Sequence, residues 1–219
     1  VCNSGAEANE GAIKLARKYG RENLNGAVEI ITAVDSFHGR TLGSLAATGN
    51  PAYQANFQPL MNGFTHVPFG DIDAIKASTN EGTCAVMLEP VQGEGGVISP
   101  PEGYFKAVRD WCDENGILLI LDEIQTGVGR LGSMWGYEHF GVEPDVMTIA
   151  KAMGGGVPIG AFLCKDSCDV LRPGDHGSTY GGNALTCAAS YAVLKHVEEE
   201  GLVEHGRFCL LYTSPSPRD

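Results

Sequence analysis

A chain of 219 residues, 43% hydrophobic and 19% charged, is long enough to bury a substantial core and too apolar for global disorder. Its 15 basic and 27 acidic residues leave a formal net charge of −12, which argues against nucleic acid and anionic membranes as partners, since both are held by basic surfaces. No apolar run approaches the roughly 20 residues that span a bilayer, and the seven cysteines are scattered without zinc-site spacing, as expected for reduced thiols in a cytoplasmic protein.

In chain order, Ser4 to Tyr19 reads as a helix, with Ala8, Ala12, Leu15 and Ala16 on one face. Ala27 to Val34 is β-branched and reads as a strand, Ile72 to Ala77 as a short helix, and Cys84 to Leu88 as a buried strand ending at Glu89. Pro101 to Asn115 predicts a helix with proline at its start and Gly116 just past its end. Ile117 to Leu121 is a continuous apolar run, too short for a helix and suited to the middle of a covered sheet. Val146 to Ala150 and Ile159 to Cys164 predict two more strands, and Asn183 to Glu200 a long helix. Strands alternating with helices imply an α/β fold, a mixed but mainly parallel sheet covered by helices.

In such a sheet ligands bind beyond the carboxyl ends of the strands. Four groups of polar residues fall there: Phe37, His38 and Arg40; Glu89; Asp122, Glu123 and Gln125; and Lys151 followed by a glycine run. Ser4 and Glu7 fit a capping box at the start of the first helix, and the same helix start offers free amides and a positive dipole end to a phosphate.

Six motifs then carry a resemblance. NSGAEAN, FHGRT, EPVQGEGG, LDEIQTGVGR, AKAMGGG and HGSTYGGN occur in the order and approximate spacing of the class III aminotransferases, fold-type I enzymes that use pyridoxal 5'-phosphate. The resemblance runs from Val1 to about Phe208 and stands nearest the acetylornithine branch of that family. It implies that Lys151 binds the cofactor covalently and moves a proton at the substrate carbon, and that Asp122 pairs with the pyridine nitrogen. It assigns Gln125 to the phenolic oxygen, Phe37 to the ring face with His38 near it, and Ser4, Gly5 and Ala6 to the phosphate. Arg40 takes the substrate α-carboxylate through a bidentate contact. Glu94 is the residue that pairs with a C-terminal arginine in this family, and Glu89 stands beside it on the substrate side. Ser178 and Thr179 reach the phosphate of a neighbouring subunit, which implies a homodimer with shared active sites.

The implied reaction passes an amino group from an ω-amino donor, N-acetylornithine foremost, to 2-oxoglutarate, as in arginine biosynthesis. Ornithine, succinylornithine and 4-aminobutyrate are the alternative donors. An aminomutase of the same fold is the rival enzyme, and a cofactor-binding protein without catalysis the rival of another class. Residues 1–208 are expected to be the cofactor-binding large domain, truncated at both ends. Cys209 to Asp219 resembles a translated sequencing adapter and is expected to be a non-native tail.

Overall fold

The computed structural model describes residues 1–213. The chain opens with α1 (Gly5–Asn23), continues through β1 (Glu29–Ala33), α2 (Leu42–Ala47), α3 (Pro51–Gln54), β2 (Phe64–Val67), α4 (Ile72–Ser78) and β3 (Thr83–Leu88), then α5 (Tyr104–Asn115) and β4 (Leu118–Asp122). It closes with β5 (Val146–Ile149), β6 (Ala161–Cys164), α6 (Ala184–Glu199) and α7 (Leu202–Thr213). The tail expected over residues 209–219 lies largely outside the described residues; α7 runs through its first positions.

Helix α1 begins where expected, with the Ser4 hydroxyl accepting from the Glu7 amide at 3.3 Å. The reciprocal half of the expected capping box is displaced: the Glu7 carboxylate takes the amide of Asn3 at 2.5 Å and its side chain at 3.1 Å, not the Ser4 amide. The helix outruns its expected end at Tyr19. Gly20 lets the backbone press against Ala27, whose carbonyl oxygen would stand 2.1 Å from any Cβ placed there. Helix α5 starts three residues later than the proline suggested. Gly103, at φ 77°, closes a turn from Pro101 to Tyr104, and helical geometry is entered only after it. Its far end matches the sequence, with Gly116 at φ 65° donating to Asp113 and Cys112. Helices α2 and α3 and strand β2 were not expected.

The strands form a six-stranded sheet of order β2-β1-β3-β4-β5-β6, parallel throughout except for the antiparallel pair β5 and β6. Alternate residues serve opposite faces. Ile30, Ala85, Met87, Leu118 and Ile120 pack with Ala12, Leu15 and Ala16 of α1. Ile31, Val86, Leu88, Leu119 and Leu121 pack with Ile75 of α4 and Phe105, Val108 and Cys112 of α5. Both sides of the central strands are therefore covered, which is why β3 and β4 read as unbroken apolar runs. The chain leaves β1 for β2 on one side, then crosses back to β3 and onward on the other. A crevice opens at such a reversal, at the carboxyl ends of β1 and β3.

Candidate active site

A cavity of ≈ 500 Å³ occupies that crevice. Its walls come from the start of α1 (Asn3 to Ala6 and Asn9), the segment after β1 (Phe37 to Arg40), Glu89 after β3, Asp122 at the end of β4 with Ile124 and Gln125, and Lys151 after β5. Glu94 and the stretch Gly156 to Ile159 complete it. The strand-end residues singled out in the sequence thus meet in one place, except Glu123; Ser178 and Thr179, assigned through the resemblance, lie outside it.

Asp122 is the most enclosed carboxylate of the cavity, 3% exposed. Its Oδ2 accepts from the Asn9 side chain at 2.8 Å and meets His38 Nδ1 at 2.8 Å, while Oδ1 accepts from the Ile124 amide at 3.1 Å. Asn9 also donates to the His38 carbonyl at 2.6 Å, tying the two partners of Asp122 together. Burial works against a charged His38, but the hydrogen bond to Asp122 and the charges of Asp122 and Glu89 outweigh it and hold the imidazole above its ordinary range. Asn9 was not assigned a role from the sequence, although it closes the NSGAEAN motif. An asparagine at helical spacing from Ala12 and Ala16, on the apolar side of the helix, was the available signal.

Lys151 directs its amine to the side-chain oxygen of Gln125, and both residues are exposed to the cavity mouth. Its backbone sits at φ 43°, a left-handed conformation uncommon for a residue with a Cβ. The first-turn amides of Gly5 and Ala6 have no intrahelical acceptor, so the positive end of α1 faces the cavity with free donors. Phe37 is half-buried and packs edge-on against Tyr53 at 6.1 Å and 88°. The Arg40 guanidinium lies 4.3 Å from the Tyr53 ring centroid and 5.7 Å from that of Phe37.

Glu89 accepts the Phe37 amide at 3.1 Å and the Gly93 amide at 3.5 Å. Burial, reinforced by the Asp122 charge and opposed by His38 and the two amides, pushes its pKa up to about 7. Glu94 is exposed at the rim. Glu123 points elsewhere: it accepts from Thr126 at 2.5 Å, Gly136 at 2.9 Å and Tyr137 at 2.8 Å, and so anchors the loop beyond β4. Ser178 and Thr179 lie outside the cavity in a neighbouring groove with Cys2, Asn3 and Glu7, where Ser178 Oγ accepts from the Asn3 side chain at 3.0 Å.

Residues 1–207 match the family model described as aminotransferase class III. The chain belongs to the class III aminotransferases. Within that family it is 56% identical over 207 residues to a protein of Gloeobacter violaceus named acetylornithine aminotransferase, covering 94% of this chain and 52% of the relative. It is 56% identical over 203 residues to another of that name from Caldanaerobacter subterraneus, covering 92% and 52%. A solved ornithine aminotransferase of Toxoplasma gondii, described with pyridoxal phosphate at its active site, superposes with a TM-score of 0.87 at 38% identity, covering 92% of this chain and 49% of that one. The chain spans about half the length of the curated relatives it matches. The mainly parallel sheet is consistent with the fold-type I arrangement of these enzymes, and the family's cofactor is pyridoxal phosphate. Among the described residues no helix is long and apolar enough to cross a membrane.

Proposed function

We propose that the full-length protein catalyses reversible, pyridoxal-phosphate-dependent transamination from an ω-amino donor to 2-oxoglutarate, giving glutamate. The observation that carries this reading is the convergence of Lys151, Asp122, Gln125, Phe37 and the start of α1 on one cavity. The residues fit the cofactor. A buried carboxylate with a fixed orientation stands in the same cavity as free helix-start amides and a lysine amine. The names of the relatives at 56% identity favour N-acetylornithine as donor and arginine biosynthesis as the setting; ornithine, succinylornithine and 4-aminobutyrate are the alternatives.

Pyridoxal phosphate, when bound, supplies an aldehyde that takes up the amino group and a ring that withdraws electrons from the reacting carbon. In this reading the Gly5 and Ala6 amides and the Ser4 hydroxyl hold the phosphate at the positive end of α1. Asp122 keeps the pyridine nitrogen protonated, and His38 and Asn9 hold that carboxylate in place. Gln125 donates to the phenolic oxygen and Phe37 covers the ring. Lys151 would hold the cofactor covalently, and its amine would move the proton at the substrate carbon. Arg40 clamps the α-carboxylate, and Glu94, with Glu89 nearby, pairs with an arginine elsewhere in the full-length protein. Ser178 and Thr179 serve the phosphate of a second copy, making the enzyme a homodimer in the cytoplasm. Residues 1–208 are the cofactor-binding large domain and 209–219 a non-native tail; the family match ending at residue 207 supports that boundary.

The test is the visible absorption of the full-length protein after loading with pyridoxal phosphate. The band should be lost in Lys151→Ala, bleached by N-acetylornithine and restored by 2-oxoglutarate. A band that only ornithine or 4-aminobutyrate bleaches overturns the donor alone. A band indifferent to every ω-amine overturns transamination, and its absence from the native protein overturns the cofactor.

A further inference from the structure

Two side chains that have no part in holding the cofactor brace Arg40 from opposite ends. On the backbone side, Glu10 of α1 turns its carboxylate onto the start of α2. Its Oε1 accepts from Thr41 Oγ1 at 2.5 Å and from the amides of Gly43 and Ser44, each at 3.0 Å. Gly43 permits this approach, because a Cβ there would lie 2.4 Å from Glu10 Oε2. Gly39, on the other flank of Arg40, is at φ 132° and presses on α1 as well: a Cβ there would meet Ala6 at 2.9 Å. The segment carrying Arg40 is thus seated at both ends on the first two turns of the helix whose start faces the cavity.

On the side-chain side, the guanidinium rests over Tyr53 of α3 at 4.3 Å, and over Phe37 at 5.7 Å. Among the described residues no carboxylate pairs with Arg40. Aromatic contact engages the face of a guanidinium and leaves its N–H donors, which lie in the plane, free to fork onto a carboxylate. A long side chain that is stacked but unpaired is pre-ordered for an anion it has not yet met, and less rotamer freedom is lost when that anion arrives.

We propose that Glu10 and Tyr53 are positioning residues for Arg40, setting the affinity of the site for carboxylate-bearing substrates. This rests on the assignment of Arg40 to the substrate carboxylate. In the cofactor-loaded full-length protein, Tyr53→Leu and Glu10→Ala are each expected to raise KM for N-acetylornithine and 2-oxoglutarate about tenfold while kcat changes less than about twofold. The half-reaction with a plain alkylamine, read as single-turnover bleaching of the cofactor band without 2-oxoglutarate, offers Arg40 nothing to bind and should change in rate less than about twofold in both variants. Tyr53→Phe keeps the ring and Glu10→Gln keeps an acceptor oxygen, so both should stay within about threefold of the native KM. Equal losses on the alkylamine and on the acids, or an unchanged KM in Tyr53→Leu, overturn the proposal. Should Glu10→Ala fail to fold, Tyr53→Leu decides it alone. Arg40→Ala tells the two levels apart: if it leaves KM for the acids unchanged, the assignment of Arg40 itself is wrong, and the proposal falls with it.

Discussion

Asn9 offers the sharpest check on how the centre of the site is built. Asn9→Ala removes two buried hydrogen bonds, one to the Asp122 side chain at 2.8 Å and one to the His38 carbonyl at 2.6 Å. A bond to a charged group contributes about 1.5–3 kcal/mol and a neutral one about 1 kcal/mol. Part of this returns, because the Asn9 side-chain oxygen is itself buried without a partner, and deleting it relieves about 1 kcal/mol. The net expectation is a destabilisation of about 2 kcal/mol, which for a chain of this size lowers Tm by roughly 4–8 °C. Urea denaturation of the purified cofactor-free protein measures it. Asn23→Ala is the control, since Asn23 is an asparagine of the same helix that is exposed and bonds only the Tyr19 carbonyl; it should stay within about 0.5 kcal/mol. If Asn9→Ala is no worse than the control, the network around Asp122 does not hold the fold as argued.

Glu89 is harder to ionise in the fold than in the unfolded chain, 4.5 rising to about 7, so its stabilising contribution is full below the lower value and lost as pH rises through the upper one. Its contribution to the stability of the cofactor-free protein should fall by about 3 kcal/mol across that window; Glu89→Gln should remove that part and keep what His38 and Glu123, both also raised, contribute, and an unchanged pH profile in denaturation would exclude this origin. Gly93→Ala places a Cβ 2.9 Å from the Gln125 side chain, which must move; cofactor affinity measured by absorbance titration should weaken about tenfold while stability changes by under about 1 kcal/mol, and unaltered binding would show that Gln125 has no part in it. The thiols of Cys84 and Cys112, pushed up to about 12 by burial, should resist alkylation at pH 8 until denaturant is added, which mass spectrometry of the labelled protein reads directly.

The elements legible in the sequence were those whose burial leaves a pattern. Strands β3 and β4 are covered on both faces and read as apolar runs, while α1 and α5 carry their end signals at Ser4 and Gly116. Strand β2 escaped notice because it lies at the sheet edge, where only Val67 of its four residues is fully buried. Helix α2 is built of small residues nearly all buried, so it has no polar face to mark a helical period. The site divides in the same way. Lys151 and Asp122 stand at strand ends, which topology alone makes suspect. Asn9 acts through a partner 113 positions away, a relation that no local pattern encodes.

The site combines a fixed, buried acid with long, exposed side chains. The partners of the Asp122 carboxylate come from α1, from the segment after β1 and from its own strand end, so its orientation is created by the packing of helix on sheet. No single loop can supply that, and the carboxylate is in position before any ligand arrives, which lowers the ordering lost on binding. Lys151 and Gln125 are instead exposed, with long side chains free to change partner. For Lys151 that freedom is confined to the side chain. Its left-handed backbone at φ 43° lies where β5 passes into a short 3-10 turn, and Gly155 and Gly156, both at positive φ, continue the same irregular path. A residue with a Cβ persists in that conformation only when its surroundings impose it. The Cα of Lys151 is thereby fixed at the strand end while its amine reaches the Gln125 side chain inside the cavity, the combination that its proposed role needs: to hold a ligand, release it and remain within reach.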